Sequence, residues 1–252
     1  MDRRDFILLS TLVGITSVFP KNALGSVIKG LKLNLASYNG PLLNKILLAL
    51  NQLDRNQITS EKFVNELKRL YSETDLAAEF KDWIHEVPVD GSDHRVLMRH
   101  DEANRYYSID LYYVAANTST PPHCHHNLIS TQTVLKGQLN LRQYNRVSRI
   151  DPSHILIRPS RESLVRAGDC ILMTETVNNV HWFGATANAA LLFNFQVKGI
   201  PGPRFDSDRN SAREYLDPTV HRNTSGDLVA RELTKIEATD RFEKCHLSEF
   251  PF

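Results

Sequence analysis

The stretch Pro121-Pro122-His123-Cys124-His125-His126 decides how this chain is read. In a β-strand, residues i and i+2 share a face. His123 and His125 therefore project together, while Cys124 and His126 turn to the other side. Two imidazoles so placed can take adjacent positions on one metal ion, and a further ligand must come from another strand. His181, in Asn178-Asn179-Val180-His181-Trp182-Phe183, is the candidate. The other histidines offer less. His85 lies in a helical region and His221 and His246 in a polar tail, while His94, His100 and His154 have no partner at two-residue spacing.

The surroundings of the motif read as strands. Past Pro88, short runs rich in Val, Tyr, Leu and Phe alternate with Gly, Pro and Asn. Candidate strands are 94–99, 106–115, 122–126, 130–136, 138–144, 154–157, 163–166, 169–174, 179–184 and 189–198. So many short strands without intervening helices predict an antiparallel sandwich or barrel. Ahead of them, residues 40–86 have helical periodicity. Pro41 suits a first helical position, followed by Leu42, Leu43, Ile46, Leu47, Leu50 and Leu53. Thr59 or Ser60 caps a second helix with Phe63, Val64, Leu67, Leu70 and Tyr71 on one face. Thr74 opens a third. The segment after Gly202 is charged and turn-rich, with a short helix expected at 234–243, and is expected to pack on the barrel.

The chain begins Met1-Asp2-Arg3-Arg4-Asp5-Phe6-Ile7-Leu8, followed by an apolar run to Phe19 and small residues up to Gly25. This is the layout of an export signal, and the Arg3-Arg4 pair resembles the twin-arginine type, which carries folded proteins. The expected division is a signal over 1–25, a helical region over 26–90, a barrel over 91–200 and a tail over 201–252. A periplasmic location follows, with no stable membrane span after cleavage, because the apolar run is too short for one.

The 252 residues carry 30 Lys and Arg against 29 Asp and Glu. Cleavage after Gly25 would remove Arg3, Arg4 and Lys21 with Asp2 and Asp5, leaving a neutral chain. Neither form has the basic excess that nucleic-acid binding requires. Cys124, Cys170 and Cys245 are an odd number without a CxxC pair, so neither a zinc ribbon nor a disulfide scaffold is indicated. Cys124, facing away from the paired histidines, reads as core. Oligomeric state leaves no mark on the sequence.

Taken together, His123-x-His125, Gly137 closing Val134-Leu135-Lys136, the Gly168-Asp169 turn and the later His181 resemble the motifs of the cupin superfamily over residues 94–200. The resemblance implies a mainly β fold, a double-stranded β-helix barrel preceded by helices. Two departures stand out. The family's acidic ligand falls at about Ser130, and no Asp or Glu occurs from Pro121 to Arg149; His181 comes about two residues later than the family spacing. A site without a carboxylate is similar to that of the three-histidine thiol dioxygenases, the cysteine dioxygenase type, which also carry helices ahead of the barrel. That resemblance implies a mononuclear non-haem iron(II) centre, with Mn, Ni or Zn as other occupants, adding dioxygen to a small thiol or related anionic substrate. It also implies a carboxylate-binding arginine, for which Arg99 and Arg105 are the candidates. The catalytic tyrosine of that group has no counterpart in Leu191-Leu192-Phe193-Asn194-Phe195-Gln196, where Phe195 takes its place. The alternative expectation is a ligand-binding barrel without catalysis, or a manganese or zinc isomerase or hydrolase.

Overall fold

The computed structural model describes residues 38–84, 94–101, 107–200, 213–219 and 222–250. The export-signal segment and Arg105 lie outside the described residues, as do the side chains of 94–101, Arg99 among them.

Two long helices open the described chain, α1 (Pro41–Asp54) and α2 (Ser60–Ser72). Pro41 stands at the start of α1, where its missing N–H costs nothing. Thr59 caps α2 by accepting the Lys62 N–H at 3.2 Å. The third helix expected from Thr74 is capped instead by Asp75. It breaks into two short pieces, α3 (Leu76–Glu79) and α4 (Lys81–Ile84). Among the described residues no helix is long and apolar enough to cross a membrane.

Eleven strands follow among the described residues: β1 (His94–Asp101), β2 (Tyr107–Val114), β3 (Ser119–His125), β4 (Leu128–Lys136), β5 (Gln138–Asp151), β6 (His154–Arg166), β7 (Cys170–Met173), β8 (Val180–Ala185), β9 (Ala190–Lys198), β10 (Arg213–Asp217) and β11 (Leu228–Leu233). The two runs expected at 154–157 and 163–166 are one strand, β6, which pairs with β5 through three irregularities of register. Pro159 between the runs suggests a break. It sits at one of those irregularities, opposite Tyr144, where a missing ladder hydrogen bond is tolerated.

The pairing is nested. β2 pairs with β9, β3 with β8, β4 with β7 and β5 with β6, all antiparallel. Successive strands thereby wind as a two-stranded ribbon through two sheets, which is a double-stranded β-helix. One sheet has the order β1-β2-β9-β4-β7; the other, β10-β11-β6-β5-β8-β3, closes on itself through β10 and β3. Gly137 makes the β4–β5 turn at φ 80°, and a Cβ there would lie 2.3 Å from the Ala189 carbonyl oxygen, so no other residue fits. Helix α5 (Lys235–Phe242), capped by Thr234, lays Phe242 on Trp182 on the outside of β8.

The helices cover the outer face of the first sheet. Alternate residues of β9 turn outward, so Phe193 meets Tyr71 and Phe80 at centroid distances of 5.3 and 4.6 Å, and Phe195 meets Phe63 at 6.4 Å. One polar contact crosses this apolar layer, between the buried Tyr71 hydroxyl and Thr131 Oγ1 at 2.8 Å. Tyr71→Phe is expected to cost about 1–2 kcal/mol in urea unfolding, because the Thr131 hydroxyl would be left buried without that partner. The inward residues of the first sheet are of another kind: Asp110, Ser130, Gln132, Asn194 and Gln196 are all buried. A barrel that needed only stability would fill those positions with apolar side chains.

Candidate metal centre

Pro121 and Pro122 fall between the paired positions Thr120 and His123, where the β3–β8 register shifts. Proline can sit at such an irregularity without costing a ladder hydrogen bond. The shift brings His123 directly opposite His181 on β8. His125 follows on the same face, and the three rings lie 4.1–5.5 Å apart by centroid. One nitrogen from each falls within 4.8 Å of the others, and all three side chains are buried.

Two of the rings have their tautomer fixed by the backbone. His123 Nδ1 donates to the Pro121 carbonyl at 2.7 Å, and His181 Nδ1 donates to the Asn179 carbonyl at 3.1 Å. A carbonyl oxygen only accepts, so each Nδ1 carries its proton and each Nε2 keeps its lone pair. This is how metal-binding imidazoles are oriented. The rings are also held neutral. Burial pushes His123 well below the ordinary imidazole range, helped by the positive charge its neighbours His181, Arg213 and His125 would carry. His181 is lowered to about 4 by burial, with Arg213 adding to the effect and the Asn179 carbonyl opposing it. Three convergent nitrogen donors, two of them neutral and preorganised, suit a borderline transition metal and leave other coordination positions open.

The pocket around them is lined by Tyr112, Thr120, Ser130, Gln132, Phe183, Gln196 and Arg213 as well as the histidines. Ser130 occupies the wall where a carboxylate was expected to be missing, and no Asp or Glu replaces it in the lining. Phe195 does not face the pocket. It points to the helices and Tyr107, while its neighbour Gln196 lines the site, so the reading that set Phe195 in place of a catalytic tyrosine is corrected. Strand alternation explains the error: on β9 the inward positions are the even-numbered ones, Asn194 and Gln196. A tyrosine is present on another wall, Tyr112 of β2.

Arg99 lies on the edge strand β1, its backbone opposite Ile109. The cation found at the site is Arg213, which the sequence reading missed. It sits on β10, directly opposite His125 of β3. The signal available was faint, an Arg-Glu-Tyr-Leu-Asp run within a charged tail.

The reverse side of β3 carries a second cluster. Cys124, His126 and Glu214 bring ligand atoms within 4.8 Å of one another. Here, however, the cation is already supplied. Arg146 Nη1 lies 2.7 Å from Glu214 Oε2, 3.4 Å from His126 Nε2 and 3.6 Å from Cys124 Sγ, and Arg149 also pairs with Glu214. The guanidinium takes the place a metal would need, which makes this a buried ion-pair network. Cys124 does face away from the histidines as expected, into an apolar cluster with Tyr144, Ile155, Ile157 and Leu216.

No family model and no curated protein matches this chain. Solved structures do. The Schizosaccharomyces pombe Cnp3 cupin domain aligns at 10% identity over 45% of this chain and 70% of that one, with a TM-score of 0.34. KdgF from Halomonas sp. aligns at 12% identity over 44% and 84%, TM-score 0.33. A Klebsiella pneumoniae protein with a double-stranded β-helix domain aligns at 18% identity over 47% and 84%, TM-score 0.32. Likeness at this level carries no argument about activity, and the strand pairing speaks for itself. The chain has the cupin fold. Its centre is a cluster of three histidines that could hold a metal ion, set between the two sheets.

Proposed function

We propose that this cupin is a metal-dependent oxidoreductase, a mononuclear non-haem iron(II) dioxygenase acting on a small thiol or related anionic substrate. One observation carries the reading: three buried histidines, two with Nδ1 tied to backbone carbonyls, converge in a pocket lined by no carboxylate. A divalent iron held there would supply open positions at which a substrate donor and dioxygen meet. The chain's own contribution is positioning. His123, His125 and His181 would hold the ion, and Phe183 forms an apolar part of the wall beside it. Tyr112, Thr120 and Ser130 offer the hydroxyls of the wall. Apart from the histidines, the lining offers hydroxyls, amides and one guanidinium but no carboxylate, which supports chemistry on the metal over proton abstraction by a side-chain carboxylate. A manganese or zinc isomerase, which needs such a base, is for that reason the weaker reading.

The test is metal analysis followed by oxygen consumption. Protein loaded anaerobically with iron(II) should hold about one equivalent and take up oxygen with at least one member of a panel of thiols, carboxylates and diketones. A metal-replete sample that consumes no oxygen with any of them would remove the dioxygenase reading. A sample that retains no metal would remove the centre itself.

A further inference from the structure

The geometry points to a second binding site, in a cleft between α2 and the β6–β7 turn, where Lys68 and Arg161 take the phosphoryl group of a small phosphate monoester. It is independent of the metal reading and stands if that reading fails. The cleft shares no lining residue with the histidine pocket. Its volume is about 240 Å³, far more than the ~10–15 Å³ that one water needs. Lys68 and Ser72 line it from the last turns of α2, Arg161 from β6, and Asp169 and Cys170 from the turn into β7.

The charges of its walls are out of balance. On α2, Arg69 holds both Glu66 and Glu73, each at 2.6 Å, so neither is left for Lys68. On β6, Glu162 is held by Arg142 at 2.7 Å. Among the described residues no acid pairs with Lys68 or Arg161. Arg161 is half-buried and donates from Nε to Ser163 Oγ at 3.0 Å and from Nη1 to the Cys170 carbonyl at 3.3 Å. Both acceptors are neutral, so the guanidinium is held in place with its charge uncompensated. The Cys170 thiol adds no negative charge. Burial pushes it up to about 11, against the Thr133 hydrogen bond and the nearby charges of Lys68 and Arg161. Asp169 is the one acid in the lining, so two cations face a single carboxylate. The negative end of α2 is blunted as well. Its Arg69, Leu70 and Tyr71 carbonyls accept hydrogen bonds from the Glu73 N–H, the Thr74 hydroxyl and the Thr74 N–H.

An anion entering the cleft meets a planar fork of N–H donors and an ammonium acting as a point charge, both suited to phosphoryl oxygens. A phosphoryl group carries about −1.5 to −2 charge at neutral pH and can satisfy both cations at once, which a lone carboxylate cannot. The remaining polar atoms of the walls are acceptors. Asp169 takes the Arg166 N–H on Oδ2 at 2.7 Å and keeps Oδ1, while Ser72 Oγ spends its proton on the Arg69 carbonyl at 2.8 Å. They suit hydroxyl donors, so the organic part of the ester is hydroxylated.

Calorimetric titration of the metal-free full chain with inorganic phosphate, at constant ionic strength, tests this. Phosphate is expected to bind saturably to wild type and about tenfold more weakly to Arg161→Gln and to Lys68→Gln. Lys62→Gln, on the same helix but outside the cleft, is expected to bind as wild type does. Lys68 is exposed, so its variant carries the test even where Arg161→Gln fails to fold. Glycerol 3-phosphate is expected to bind more tightly than phosphate, and equal binding overturns the part given to Asp169 and Ser72. Succinate binding as tightly as phosphate overturns the phosphoryl assignment. Unchanged affinity in Lys68→Gln, or no saturable binding to wild type, overturns the site. Loss of phosphate binding in a His123→Ala, His125→Ala chain would place the anion at the histidines and overturn it too.

Discussion

Replacing His123 and His125 together by alanine is expected to reduce bound metal from about one equivalent to background while leaving the far-ultraviolet circular dichroism unchanged. The reasoning is local. Both side chains enter the pocket from one strand, and no other His, Cys, Asp or Glu lines it, so a single remaining imidazole at His181 cannot hold a divalent ion against water. A ligand that binds only the folded state stabilises it, by about 4 kcal/mol when present at a thousandfold excess over its dissociation constant. The wild-type melting temperature should consequently rise with added metal and that of the double variant should not. His126→Ala is the informative comparison. His126 adjoins His125 in sequence but hydrogen-bonds Glu214 on the reverse face. It should lose stability and keep its metal. A His126→Ala protein stripped of metal as completely as the double variant would show that the facing of β3 has been misread.

That facing was legible because it follows from strand periodicity alone; His181 stood out because the other histidines lie in helical or tail segments or lack a partner at two-residue spacing. Most strand positions were also visible, since Val, Ile and Phe at alternate or continuous positions mark buried sheet. What escaped was governed by pairing across long separations. Strand β10 has charged residues that are nonetheless buried, Glu214 and Asp217, so Arg-Glu-Tyr-Leu-Asp reads as surface until its partners on β3 and β5 are known. Arg213 is hidden for this reason, whereas Arg99 and Arg105 are marked only by the family order, which sets an arginine ahead of the paired histidines and has no physical term behind it; both side chains lie outside the described residues. Phe195 was misplaced by one residue of register. On a strand, that exchanges the pocket face for the helix-packed face. Asp110 and Asn194, hydrogen-bonded to each other at 3.1–3.2 Å inside the barrel, carry no local pattern that would have distinguished them from turn residues.

Glu214→Gln is expected to destabilise the protein by about 3–5 kcal/mol at neutral pH, the usual cost of removing one partner from a buried ion pair. The carboxylate accepts from Arg146 and Arg149, and its side chain is wholly buried. Substitution would leave the Arg146 guanidinium, itself buried, facing a neutral amide. The pH dependence follows from the same residue. Burial alone would raise the Glu214 carboxyl, but His126, Arg146, Arg149 and Cys124 together outweigh it and bring the group from 4.5 down to about 2. A carboxyl whose folded pKa is depressed binds its proton more readily in the unfolded chain. Its stabilisation is therefore complete above about pH 4.5 and is lost as the pH falls from there towards 2, by roughly 3 kcal/mol over that interval. The wild-type stability curve should bend downward across this window, and the Glu214→Gln curve should start lower and run flatter through it. A variant as stable as wild type at neutral pH would show that the arginines are solvated and the network contributes nothing. One that loses stability in acid as steeply as wild type would place the titrating carboxylate elsewhere.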